Sequence, residues 1–140
     1  MTDAIDVIEA RRAARRDAAD VAATAQRAID LAALDALEET HGITNIARVD
    51  VPHTPGLPGM ALARTPRPVE IKRYRDRVRA RGDKPGDPVA AATELVGVVL
   101  IYPDAEAFAA MCEARPTLAV QLGVSAVGLA TGVEIAAGKA

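Results

Sequence analysis

The sequence predicts a mainly α domain of the α+β class: a long N-terminal helix, one β-hairpin, then a small bundle of about four short helices. Three observations predict it. Residues 3–40 contain neither Pro nor Gly. Alternating β-branched residues follow and give way to the Pro/Gly tract at 52–59. Beyond that, apolar segments restart after Thr65-Pro66, Asp87-Pro88, Pro103-Asp104 and Arg115-Pro116, pairs of the kind that open helices.

The first helix is expected from a cap at Thr2 or Asp3, with Asp3, Asp6 and Glu9 near the positive end of its dipole. Ile5, Ile8, Ala19, Ala22, Ile29, Ala33 and Ala36 fall near heptad spacing, interrupted by Arg12, Arg15 and Gln26. Alanine makes a weak knob and arginine weakens the seam further. The helix therefore reads as an arm with a thin apolar stripe, packing at its Leu31–Leu34–Leu37 end and stopping at His41-Gly42. The arm is assigned residues 1–42.

A change of period follows. Ile46–Val51 alternates, Met60–Arg64 is a second short strand, and the loop between them is Pro/Gly-rich, which together predict a hairpin. A hairpin alone is marginal and must pack on a helix or pair with another chain. Thr65 is expected to cap a helix with Pro66 and Pro68 in its first turn, running to Arg81-Gly82. On it Ile71, Tyr74 and Val78 share a face, flanked by Lys72, Arg75 and Arg79 on one side and Arg73, Arg77 and Arg81 on the other. Asp87-Pro88 opens the next helix. Its end, LVGVVLIY, suits a buried strand equally well; the lead-in AAATEL has no turn signal and favours helix through Tyr102. Pro103-Asp104 restarts a helix bearing Phe108, Met111 and Cys112, and after Arg115-Pro116 a last one carries Leu118, Leu122, Ala126 and Leu129 to Gly132. Residues 43–132 are thus the domain proper and 133–140 a flexible tail.

Composition bounds the function. Half of the 140 residues are apolar, yet aromatics are 2%: Phe108, Tyr74 and Tyr102. Large aromatic side chains carry much burial energy per residue, so the core is light and a partner or self-association would matter to stability. Net charge is −2, but residues 64–81 hold eight basic residues against two acidic ones. One cysteine suits a reducing compartment. The first ten residues are too polar for a signal peptide, and the apolar run 95–102 is far short of the roughly 20 residues a membrane span needs. The expected location is the cytosol.

No catalytic motif emerges. His41, His53 and Cys112 are widely separated, without metal-ligand pair spacing, and read as two solvent-side histidines and a small buried thiol. The tract 52–59 carries no phosphate-loop pattern, and no acids are placed as an acid/base couple. We therefore expect no enzyme activity, no cofactor and no metal. The basic stretch 69–81 has the footprint of phosphate contact, which makes a nucleic-acid-binding or regulatory module one alternative. The acidic total and scarcity of aromatics weigh against it. The apolar helices offer a groove for another helix.

The order of pieces also resembles the small tail assembly chaperones of long-tailed bacteriophages and prophages. The likeness is carried by Lys72-Arg73-Tyr74-Arg75 after the hairpin, the step Tyr102-Pro103-Asp104, and the segment Ala114–Gly123, and covers about residues 34–130. It implies a non-catalytic protein in the bacterial host cytoplasm that binds the tape measure or tail tube protein, in possible homo-oligomeric form, with neither nucleic acid nor membrane as partner. A structural component of a phage-like particle is the other alternative. Under the chaperone reading, partner contact would fall on Lys72, Tyr74, Arg75, Val78, Arg79, Tyr102, Phe108, Met111, Leu118, Leu122 and Leu129.

Overall fold

The structure, a computed structural model, describes residues 3–80 and 82–139, with side-chain burial described as far as residue 131. It is five helices and one three-stranded antiparallel sheet. Helix α1 is Ala4–His41, capped by Asp3, whose carboxylate accepts the Ile5 N–H. It ends where Gly42 turns to φ 88° and donates its N–H to the Glu38 carbonyl. Only Asp30 and Leu34 are buried on this helix, Leu37 is half-buried, and every side chain from residue 3 to residue 22 is exposed. Thus the packing end lies where the leucines predict it, although Leu31 itself faces outward.

A short 3-10 turn, Ile43–Asn45, leads into β1 (Ile46–Asp50), which pairs with β2 (Met60–Arg64) as the expected hairpin, Ile46 opposite Arg64 and Asp50 opposite Met60. The third strand, β3 (Leu100–Tyr102), was not foreseen. It adds to the free edge of β2, with Leu62 opposite Tyr102. Helix α3 (Pro88–Val99) stops three residues before the Tyr102 end expected from the sequence. The physical reason is the buried edge of β2, whose backbone N–H and C=O groups need partners. A chain that leaves the helix at Leu100 supplies them.

Strand β2 is central and covered on both faces. Ala61 and Ala63 point into the main core with Leu95, Val96, Val99, Phe108, Met111, Leu118 and Leu122. Met60 and Leu62 point the other way, against Leu34 and Leu37 of α1. Period-2 alternation thus places α1 on one face and α3 and α5 (Leu118–Lys139) on the other.

Helix α2 (Pro68–Val78) is shorter than expected and is capped at Arg67 rather than Thr65. Thr65 is engaged elsewhere: its N–H and hydroxyl both donate to the Asn45 carbonyl. Gly86 then folds the loop back so closely that a Cβ there would lie 1.7 Å from the Val78 carbonyl oxygen, and Asp87 donates its N–H to Arg77. This closes α2 and α3 into an antiparallel helical hairpin. Asp87 and Asp104 cap α3 and α4 (Ala105–Ala114) as the sequence indicates. Helix α5 crosses α3 through Gly123, where a Cβ would sit 3.0 Å from that of Ala92. It continues as helix to Lys139, past the Gly132 stop and through the stretch expected to be a tail.

Asp30 holds α1 to the sheet. It is 2% exposed and accepts hydrogen bonds from Gln26 Nε2 (3.0 Å), the Gly59 N–H (2.9 Å) and the Tyr102 hydroxyl. Removing one member of such a buried, charge-assisted set leaves donors unpaired. Asp30→Ala is expected to lower stability by about 3 kcal/mol and Tyr102→Phe by about 1–2 kcal/mol. Urea unfolding followed by circular dichroism measures both.

Candidate functional site

The α2–α3 hairpin leaves a groove on its outer side. Val69, Tyr74, Ala91, Leu95 and Val98 line a cavity of about 240 Å³ together with Glu70, Arg73, Arg77 and Glu94. The spacing explains the convergence. On α3, Ala91, Glu94, Leu95 and Val98 fall at i, i+3, i+4 and i+7, one face of a helix. On α2, Val69, Arg73 and Arg77 fall at i, i+4 and i+8. The antiparallel hairpin brings Val69 and Val98 to the same end, where they are 66% and 51% exposed. Unpaired apolar surface of this kind, rimmed by charge, is the ordinary composition of a protein-contact patch.

Electrostatics shape the rim. Arg77 pairs with Glu94 across the hairpin. At the far end a wider basic hollow continues the groove, lined by Lys72, Arg73, Arg79 and Lys84, with Asp76, Asp87 and Glu94 among them. The arginines thus face their own hairpin and solvent, and Arg77 has its carboxylate partner on α3 rather than on the acidic first helix.

The groove's upper end is fixed by Glu70. Its two carboxylate oxygens accept from Arg64 at 2.9 and 2.8 Å, and one also accepts the Arg67 N–H at 2.7 Å. These bonds tie the end of β2 to the first turn of α2. The hydrogen bonds from Arg64 pull the Glu70 carboxyl down to about 2, against the opposing effect of burial. Hydrogen bonding to Glu70 raises the Arg64 guanidinium in turn.

Of the residues that the sequence nominates for partner contact, the structure divides them. Tyr74 lines the groove, while Lys72, Arg75 and Arg79 are exposed on the same helix and Val78 is half-buried at its end. Arg81 lies outside the described residues. Phe108, Met111, Leu118 and Leu122 are corrected: all four are core, the last 0% exposed, because they face the alanines of β2. Leu129 is half-buried against that core. Tyr102 is half-buried and held by Asp30; burial and then that bond raise its hydroxyl pKa. The α3 wall, Ala91, Glu94, Leu95 and Val98, went unnominated, although its helical spacing was there to read.

The histidines are not solvent-side either. His41 is half-buried, and His53 Nε2 is enclosed without a partner, on the wall of a second cavity of about 270 Å³ between α1 and the Pro/Gly loop. Its ionisable neighbours are engaged: Asp30 accepts three hydrogen bonds, and Arg48 pairs with Asp50 at 2.8 Å. Cys112 is half-buried, and burial pushes its thiol up, away from nucleophilic thiolate. Among the described residues no group of three or more His, Cys, Asp or Glu is placed to hold a metal ion, and no helix is long and apolar enough to cross a membrane.

Comparison with known proteins returns no matching family model, no matching curated protein and no matching solved structure.

Glu70 gives a pH test. Its pKa when folded lies below the unfolded value of about 4.3, so its stabilisation is full above that value and is lost as pH falls towards about 2. Glu70→Gln is expected to be about 1–2 kcal/mol less stable than wild type near neutral pH. The difference should shrink steadily between about pH 5 and pH 2 in urea titrations.

Proposed function

We propose that this chain is a non-catalytic assembly chaperone that receives an apolar helical segment of a partner in the α2–α3 groove. The partner class suggested by the sequence resemblance is the tape measure or tail tube protein of a long-tailed phage. The groove carries the proposal. It pairs an aliphatic wall (Ala91, Leu95, Val98) with a basic one (Arg73, Arg77), and small and medium side chains line it instead of deep aromatic anchors. Interfaces without buried Trp, Tyr or Arg anchors have few hot spots and modest affinity. Modest affinity suits a chaperone whose client must be handed on. Helix-in-groove docking reads apolar side chains at i, i+3, i+4 and i+7, which long tape-like helices present repeatedly.

Nucleic-acid binding through residues 69–81 is the second reading, and the basic hollow beside the groove favours it. The pairing of Arg77 with Glu94 and the presence of Asp76 and Asp87 dilute that field. The two readings separate experimentally. Nucleic-acid binding falls steeply with salt, whereas apolar docking persists.

Co-expression with tape measure or tail tube protein from the same genome tests the proposal. A soluble complex should co-purify with the wild-type chain. Val98→Asp, at an exposed site, should leave stability within about 0.5 kcal/mol and cut client recovery about tenfold or more. Unchanged client solubility with no complex would sink the chaperone reading.

A further inference from the structure

The acidic start of α1 and the basic groove of α2–α3 are complementary surfaces on one chain. Residues 3–22 project as about 30 Å of helix with no buried side chain. Helices of this length are marginal in water without packing. Near its tip, Ile5 and Ile8 are 61% and 52% exposed. At about 100° per residue they share a face, and Asp3, Asp6 and Glu9 lie along one shoulder of it. The groove has the matching form. Val69, Val98 and Leu95 are its apolar part, and Lys72, Arg73 and Arg79 flank it and continue beyond it. Three carboxylates beside an isoleucine pair thus meet a cationic wall beside a valine pair.

The tip cannot reach the groove of its own chain. Helix α1 is continuous from Ala4 to His41 and is seated on the Leu62 face of the sheet, whereas α3 packs on the Ala61–Ala63 face. We propose that the N-terminal turns of α1, residues 3–12, dock in the α2–α3 groove of a second copy of this chain. Every copy carries one arm and one groove, so the contact is heterologous. Two copies exchange arms where the geometry closes, and longer rings or chains form where it does not. The interface is independent of any client: it stands or falls on the isolated protein.

The experiment measures association of the full-length chain by sedimentation and light scattering, at low and high salt. Wild type should self-associate, and raising the salt should weaken it, since the shoulders are solvent-exposed charges. Lys72→Glu with Arg73→Glu, and separately Asp6→Arg with Glu9→Arg, should each raise the dissociation constant about tenfold or more. Combining all four substitutions should return it to within about threefold of wild type, because the charges are exchanged across the contact. All four sites are exposed, and circular dichroism confirms that each variant folds. A direct readout uses Ala4→Cys in a Cys112→Ser background, spin-labelled and mixed with isotopically marked wild type; the Val98 methyl signals should broaden. A monomer at all concentrations overturns the proposal. So does association that responds to the arm variant but not the groove variant, which would mean that arms pair with arms. Association with no rescue in the fourfold variant overturns it as well.

Discussion

A carboxylate buried in an apolar setting is costly unless its oxygens are met by donors. Asp30 meets that condition with three, and each comes from a different place: Gln26 one turn back on α1, the backbone of Gly59 at the end of the Pro/Gly loop, and Tyr102 at the end of β3. Besides Asp30, α1 buries only Leu34. One polar cluster therefore decides whether a 38-residue helix belongs to the domain or swings away from it. It also sets the angle at which the exposed first half leaves. A hydrophobic contact of the same area would hold the helix as firmly but would not fix its register, since apolar surfaces slide. Three directional bonds to one carboxylate do not.

The sheet that Asp30 secures is built of small residues, and this shapes everything on its other face. Ala47, Ala61 and Ala63 present little bulk, so α5 and α3 approach closely, and Gly123 against Ala92 carries the closeness into the helix crossing. Tight packing of small side chains recovers dispersion energy that a light core would otherwise lack. It also spends the large aliphatic residues of α3 unevenly. Val96 and Val99 face inward, and Leu95 is buried at the hairpin seam, while Val98 is left outside. The outer groove is thus a consequence of how few bulky residues the core requires.

Much of this was legible in the residues, and the failures have identifiable causes. Asp3, Asp87, Asp104 and Gly42 carry local capping chemistry, and helix boundaries set by local chemistry can be read directly. Thr65 looked like a cap and is not one, because Asn45, twenty residues earlier, competes for its N–H and hydroxyl. The ending of α3 was ambiguous for the same kind of reason: Leu100–Tyr102 is apolar enough for helix or strand, and the edge of β2 decides. Phe108, Met111, Leu118 and Leu122 were apolar at helical spacing, which marks a buried face without saying what covers it. The α3 wall was missed because half of its face is core and half is groove. Asp30 could not have been picked from eleven other aspartates without knowing that Gly59 and Tyr102 come beside it.

The exposed arm and the open groove belong to one problem. A protein that keeps an apolar groove ready for a helix has an unsatisfied surface whenever no client is present, and a chain rich in exposed aliphatic residues risks indiscriminate contact. Occupation by the arm of a neighbouring copy resolves this by mass action. At high concentration and with no client, grooves are covered. A client helix offering more apolar contacts than Ile5 and Ile8 displaces the arm, and the shift in population equals its advantage in affinity and no more. Because the arm's share of that contact is largely electrostatic and the client's largely apolar, the two respond oppositely to salt. Competition between them is therefore tunable without altering the fold, and the Glu70–Arg64 tie keeps the groove's upper end in place while either occupant leaves.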